Sequence, residues 1–527
     1  MLMRVMTQAP DPLIERLWRG RLDRRAFLLG GIAVVASSTL ARARERVAWA
    51  NDPFTLGVAS GDPAPDGAVL WTRLAPDPLQ GGGMSPEPVP VTWEVADDPG
   101  MRKIVRQGRT TAAAAMGHSV HVEVEGLDAD RWYWYRFQTG DATSPIGRTK
   151  TLPRSGADVN RLRFAFASCQ HYETGYFTAY RYMATEDLDL VFHLGDYIYE
   201  GPGRENQIRR HHGPELTTLQ HYRERYAQYR LDPDLQAAHA AFPWIVTPDD
   251  HEVDNNYAAD ISENNDPRDA FLARRAAAYQ AYYEHMPLRR RSIPSGPNIQ
   301  LYRQFTYGQL ASFFVLDTRQ YRTDQPCGDT TRPPCPGTGD PGATLLGAAQ
   351  ERWLLESIDK SKRRWNVMPQ QVMVARVDQT PGPDERVSMD QWAGYDVNRT
   401  RLLESFAAHP SSNPVVLTGD IHSNWVNDLK VDFKNEKSPV IGTEFVGTSI
   451  TSGGDGTDLP ERLVGVMSEN PFVRFYNGQR GYVSCSVTPQ RWQADYQVLD
   501  AVSRKDGVRR TRASFVIEDG RPGAQRL

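Results

Sequence analysis

The sequence predicts an α/β domain preceded by a smaller all-β domain, and three observations carry that expectation. From Arg161 onward, short and continuously apolar runs alternate with helical stretches, which is how buried strands of an α/β protein read. From Asp52 to about Pro153 the pattern is one of short alternating runs separated by turn signals. The chain is 527 residues long, more than one ordinary hydrophobic core serves. With 40% hydrophobic and 24% charged residues it has the apolar content a folded core requires.

Residues 1–50 read as an export leader. Asp23-Arg24-Arg25-Ala26-Phe27-Leu28-Leu29 opens a modest apolar run, Gly30 to Ala36, too short for the roughly 20 residues that span a bilayer. Small residues lead on to Ala48-Trp49-Ala50, an A-x-A cleavage pattern. Paired arginines ahead of such a run resemble a twin-arginine signal, with the twin-arginine translocase as partner and a periplasmic or secreted destination. An uncleaved anchor or a basic amphipathic helix is the alternative reading of the same residues. No later segment has 18 uninterrupted apolar residues, so no transmembrane anchor is expected after cleavage.

Residues 51–153 contain the runs Gly67–Thr72, Val91–Glu94, His121–Val124 and Trp132–Phe137 at sandwich-like intervals. They predict a small β-sandwich similar to fibronectin type III, with Thr151–Gly156 as linker. Residues 154–527 form the expected α/β domain. Five of its apolar runs end in polar clusters: Arg163–Ala167 in Ser168-Cys169-Gln170-His171, Leu188–Leu194 in Gly195-Asp196-Tyr197-Ile198-Tyr199-Glu200, and Trp244–Thr247 in Asp249-Asp250-His251-Glu252. Leu310–Leu316 leads to Asp317-Thr318-Arg319, and Val415–Thr418 to Gly419-Asp420-Ile421-His422-Ser423-Asn424. Ligand sites of α/β sheets lie at carboxyl ends of strands, so these clusters are expected to converge. Helices are expected over His221–Tyr229, Pro267–His285 and Ala349–Lys360, and after an irregular start within Ser388–His409.

Charge excludes some functions. The first fifty residues carry nine arginines against four acids, leaving a body with 52 basic and 61 acidic residues. Such an acidic body has no basic stripe for nucleic acid or anionic lipid, and a phosphate-bearing substrate needs a local positive site such as metal ions. Of the four cysteines, Cys327 and Cys335 lie eight apart in a Pro/Gly/Thr-rich loop and are expected to form a disulfide. Cys169 and Cys485 belong to apolar runs that sequence alone does not pair.

Each polar cluster has a plain reading by itself, since an Asp after a strand more often caps a helix than binds a metal. Several carboxylates gathered in one crevice are another matter, because they repel one another unless cations neutralise them. Carboxylate, phenolate, thiolate and imidazole around one ion suit Fe(III), and the oxygen donors Asp249 and Asn256 suit Ca²⁺ or Mg²⁺ better than zinc. His251 is a candidate proton donor or ligand-orienting group, and Arg319 and Arg322 are candidates for a phosphate-facing charge.

The strings Gly195-Asp196-Tyr197-Ile198-Tyr199-Glu200, Asp249-Asp250-His251-Glu252-Val253-Asp254-Asn255-Asn256, Gly419-Asp420-Ile421-His422-Ser423 and Phe475-Tyr476-Asn477-Gly478-Gln479-Arg480-Gly481-Tyr482 resemble the signatures of PhoD-type alkaline phosphatases. The Asp-Asp-His-Glu string is the specific element; Gly-Asp-x-x-Tyr is shared with other metallophosphoesterases. The resemblance implies a four-layer α/β/β/α metallophosphoesterase-like domain carrying one Fe(III) and two Ca²⁺. It places Cys169, Asp196, Tyr199 and His422 around iron, with Asp196 bridging to calcium held by Asp249, Asn256 and Asp420. It implies hydrolysis of phosphomonoesters and phosphodiesters, small or polymeric, by attack of metal-bound hydroxide. One departure is Tyr197, where some members have an Arg after the bridging Asp. Two other readings remain open at this point: a phospholipase D-type phosphodiesterase on the same scaffold, and an exported calcium-binding protein without enzymatic activity.

Overall fold

The computed structural model describes residues 48–409 and 412–527, so the paired arginines and apolar run of the leader lie outside the described residues. Residues 48–527 belong to one compact unit. Two large sheets organise it. A ten-stranded sheet runs in the order Arg521–Arg526, Arg509–Glu518, Arg491–Leu499, Gly481–Val487, Leu162–Ala167, Leu190–His193, Pro243–Val246, Val58–Ala64, Gly67–Arg73 and Ser119–Val124. A seven-stranded sheet runs Arg303–Tyr307, Ala311–Val315, Trp365–Pro369, Pro414–Thr418, Gly442–Val446, Asn424–Leu429 and Val473–Asn477.

Alternate residues of a strand face opposite sides, and both sheets use both sides. Phe164, Phe192, Val483 and Trp492 of the first sheet meet Phe313, Val367, Val415 and Phe445 of the second in a shared core. The opposite face of the ten-stranded sheet, with Ala165, Val191 and Trp244, packs on Tyr222 and Tyr226 of helix α1 (Leu219–Arg230), Leu235 and Ala238 of α2 (Pro233–Ala241) and Tyr279 and Tyr282 of α3 (Arg268–His285). The outer face of the seven-stranded sheet, with Phe314, Met368 and Val416, packs on Leu354 and Ile358 of α4 (Gly347–Lys360), Leu402 and Phe406 of α5 (Asp396–Ala408) and Leu463 and Val466 of α6 (Arg462–Glu469).

Helices α2 and α6 were not expected from the sequence. The start of α2 is well marked: Asp232 accepts hydrogen bonds from the amides of Asp234 (3.0 Å) and Leu235 (3.2 Å), with Pro233 in the first turn. Its alanine-rich body has too little apolar contrast to declare a buried face.

The region expected as a separate sandwich shares a sheet with the rest of the chain. Ile104–Ala112, Val89–Ala96 and Trp132–Thr139 form a further sheet, five-stranded with Ala142–Thr143 and Gly147–Lys150. Val91, Val95, Tyr135 and Phe137 of that sheet pack on Val58, Leu70, Val120 and Val122. Val58–Ala64, however, pairs in parallel with Pro243–Val246, so the second layer of this sandwich is the end of the ten-stranded sheet. Arg303 seals the junction with a buried bond to Asp62 (2.7 Å) and another to the Val246 carbonyl (2.9 Å). The expected linker is partly interior: Thr151, Leu152 and Pro153 are buried, and Arg154, Ser155 and Gly156 are exposed.

Cys327 and Cys335 form the expected disulfide, and Cys169 and Cys485 are free and buried. Among the described residues no helix is long and apolar enough to cross a membrane.

Candidate metal centre

Parallel strands place their carboxyl ends on the same edge, and here the edges of the two sheets meet. Ser168 bridges to Ser449. Gln371, just past Trp365–Pro369, donates to Thr247 Oγ1 and the Pro248 carbonyl (both 2.8 Å) and accepts from Thr318 Oγ1 (2.8 Å). This side chain ties two of the predicted strand ends to its own, and no motif announced it.

On that shared edge the ligand types converge in overlapping groups. Cys169, Asp196 and His422 present donor atoms within 4.8 Å of one another, as do Asp249, Asp250 and Asp420, and Asp196, Asp250 and His251. Tyr199 donates its phenolic proton to Asp196 Oδ2 (2.8 Å) and lies 3.2 Å from His422 Nε2 and 2.6 Å from Ser452 Oγ. Its ring is flanked by His251 and His171, at centroid distances of 4.2 and 4.4 Å.

The backbone is strained at the same positions. Cys169, Asp196, Asn256, Asp420 and His422 all have left-handed φ angles, between 50° and 64°. Each such non-glycine residue costs about 1 kcal/mol or more, a cost concentrated in proteins at functional sites. Two glycines make the close approach possible. A Cβ on Gly195, whose φ is 110°, would lie 2.4 Å from the Asp249 Cβ, and one on Gly419 would lie 2.7 Å from Ser168 Oγ.

Glu252 braces the centre from below. Fully buried, it accepts from the amides of Asp249 (2.8 Å), Asp196 (3.1 Å) and Tyr197 (2.5 Å), fixing two predicted ligands relative to each other. Burial, reinforced by the Asp196 charge, pushes its carboxyl up to about 8. Burial likewise raises the Cys169 thiol and the Tyr199 phenol, with Asp196 adding to both, and lifts Asp420 to about 6. His251 goes the other way: burial disfavours its charge, but Glu200, Asp196 and Asp250 outweigh burial and hold it protonated well above the usual range. Its Nδ1 donates to Glu200 at 2.7 Å.

Arg319 is buried amid carboxylates, donating to Asp249 (2.5 Å), Asp390 (2.8 Å) and Asp420 (3.3 Å). Its donors are spent on neutralising acids. Arg322 is buried against Asp390 as well (2.9 Å). Asn256 joins the centre through its backbone, donating to Asp250 Oδ2 (2.7 Å), while its carboxamide donates to Asp329 inside the disulfide loop (3.2 Å). Tyr197 packs away from the edge, its hydroxyl 2.8 Å from His239 Nε2. Asp250 and Asp390 are the carboxylates that ligand assignment from sequence left out. The first stood inside the quoted Asp-Asp-His-Glu string, and the second follows Val387–Ser388 without any motif.

His422 is the open side of the centre, with 36% of its side chain exposed. Arg480 holds the loop beneath it, donating to the carbonyls of His422, Gly454 (2.7 Å) and Gly453 (3.2 Å).

The arrangement has close relatives. Residues 164–496 match the profile of the PhoD-like phosphatase family, and residues 39–153 match that of the PhoD-like phosphatase N-terminal domain. The chain is 51% identical over 527 residues to alkaline phosphatase D of Bacillus subtilis (strain 168), covering 97% of this chain and 90% of the relative. The solved structure of PhoD superposes with a TM-score of 0.90 at 53% identity, covering 91% of this chain and 93% of that one. Since the matched profile spans the strand ends from Leu162–Ala167 through Gly481–Val487 that build the centre, the chain belongs to the PhoD-like phosphatase family.

Proposed function

We propose that the chain is an exported, metal-dependent alkaline phosphatase that cleaves phosphomonoesters and phosphodiesters at the edge where the two sheets meet. Phosphoric ester hydrolysis is the activity of its family and of its close relative. We read the helix–sheet–sheet–helix packing as the four-layer metallophosphoesterase architecture, and the N-terminal strands as a fibronectin type III-like unit fused to it.

One observation carries the metal assignment. Asp196 Oδ1 and Asp249 Oδ2 are buried without any hydrogen-bond partner among the described residues, in the midst of further carboxylates and a thiol. Buried anionic oxygens of this kind are costly unless paired or bound to a cation. The donor set fits the expected ions: Cys169, Asp196, Tyr199 and His422 would hold Fe(III), and Asp196, Asp249, Asn256 and Asp420 would hold Ca²⁺. When bound, these ions polarise the phosphoryl oxygens and lower the pKa of water to a workable value.

The remaining work falls to the chain's own groups. Tyr199 yields a proton already shared with Asp196, and Asp196 is fixed in turn by Glu252. His251 is held protonated by Glu200, and we assign it the delivery of a proton to the departing oxygen. Arg319 offsets the charge of Asp249, Asp390 and Asp420 and keeps them together. Twin-arginine export, which carries folded proteins, supports metal loading in the cytoplasm and a periplasmic or secreted mature enzyme.

The test is to purify the protein from its native export route, measure iron and calcium, and follow phosphate release from one monoester and one diester at alkaline pH. Stripping with a calcium-selective chelator should abolish release and calcium should restore it. Full activity in protein carrying only zinc would overturn the assignment.

A further inference from the structure

Among the described residues no carboxylate lines the cleft that opens from His422. The cleft has a volume of about 450 Å³, and its basic side chains are His422, Arg462 and Arg480 in a chain with more acidic than basic residues overall. That volume exceeds what a phosphoryl group fills, so the leaving group of the ester is the part that meets these walls. One wall is apolar: Trp425 and Tyr476 meet edge to face at 4.8 Å, with Leu463 and Val466 beside them.

The two arginines differ. Arg480 is buried, and its donors are committed to the carbonyls beneath His422. Arg462 is exposed and begins α6, whose Leu463 and Val466 anchor it in the core. Among the described residues no carboxylate pairs with its guanidinium. An arginine whose planar donors remain open, on a rigid support in an acid-free cleft, is suited to capture a carboxylate or phosphate.

We propose that Arg462 is a specificity-determining residue that binds a second anionic group on the leaving-group side of the ester. The Trp425–Tyr476 wall then packs the planar or apolar spacer between the two anions. The inference rests on the hydrolase reading and adds to it a preference for substrates with a second negative charge beyond the scissile phosphate.

The experiment compares phosphate monoesters of 4-hydroxybenzoate and 4-hydroxybenzamide, and the longer pair built on 4′-hydroxybiphenyl-4-carboxylate and its amide. Within each pair the leaving groups are of similar shape and differ in charge. The metal-loaded wild-type enzyme should favour the anionic member of at least one pair through a lower KM. Arg462→Gln should reduce that preference about tenfold, the order of one exposed charge-assisted contact. Arg462→Glu should reverse it, and neither variant should change kcat/KM on the neutral esters. An unaltered preference in both pairs, or an equal loss on charged and neutral esters, would overturn the proposal. Wild-type enzyme that hydrolyses neither member of either pair would instead strike the hydrolase reading on which it stands.

Discussion

Replacing Glu252 with Gln alters the brace under the centre while keeping its volume. The carboxylate oxygens serve three amides, Oε2 those of Asp196 and Asp249 and Oε1 that of Tyr197. In the better orientation of the new carboxamide its oxygen keeps the first two, and its NH₂ faces the Tyr197 N–H from 2.5 Å, donor against donor. Above about pH 8, where Glu252 is ionised, one bond to a charged acceptor is lost, worth about 1.5–3 kcal/mol, and removal of the repulsion between Glu252 and Asp196 returns part of it. The net cost is about 2 kcal/mol, seen as a fall of a few degrees in Tm. Because the same amides set the spacing of Asp196 and Asp249, metal affinity should fall by about 10–100-fold, the usual effect of losing a group that orients metal ligands. Thermal unfolding with and without added calcium, together with equilibrium dialysis, measures both effects. A variant with lowered Tm and native metal affinity would show that Glu252 supports the fold alone, and one unchanged in both would refute the brace altogether.

Tyr199→Phe should keep the fold, since only the hydroxyl is removed from a packed ring, and should abolish any visible charge-transfer band and most activity; a retained band would show that Tyr199 is not a ligand. Metal-depleted protein should lose stability as pH rises. Glu252 and Asp420 are raised by burial to about 8 and about 6, from ordinary values of 4.5 and 3.8, so their contribution is full below those ordinary values and is lost as pH climbs through about 6 and then about 8. Tm of the chelated protein that rises over that window would contradict this, while metal-loaded protein should hold steady. Replacing Arg24 and Arg25 by Lys should block export of active, iron-containing enzyme; equal iron content and activity from a signal that exports unfolded chains would separate the leader from metal loading.

The strand ends were legible because buried parallel strands are written as continuous apolar runs, and the polar residues that interrupt them mark where the sheet stops. The clusters that hold Cys169, Asp196, Tyr199, Asp249, Asp420 and His422 stand out by that route, while their assignment as ligands comes from the family resemblance, and the disulfide is legible from the short spacing of its cysteines. The left-handed backbone at five of the seven predicted ligands left no mark, since Asp, Asn, His and Cys carry no obligation to adopt it. Arg319 was read as a charge facing substrate because sequence shows that a cation is near but not how many acids surround it. Gln371 and Asp390 sit in unremarkable strings and gain their roles only when distant strands are laid side by side. The fusion of Val58–Ala64 to Pro243–Val246 was equally hidden, because a strand's own pattern does not name its neighbour.

That fusion bears on how the chain comes into being. Leu162–Ala167, in the middle of the large sheet, pairs on one side with Leu190–His193 and on the other with Gly481–Val487, which leaves the ribosome more than three hundred residues later. At the far end, Val58–Ala64 waits for Pro243–Val246 before it acquires its parallel neighbour. During synthesis the nascent chain therefore carries open strand edges, the feature that invites wrong pairing between molecules. Long-range closure of this sort is slow. A chain truncated before Gly481 would keep all seven candidate metal ligands and still present an unpaired edge at Leu162–Ala167, so ribosome stalling or C-terminal clipping should yield aggregates and chaperone-bound fragments rather than a partly active enzyme.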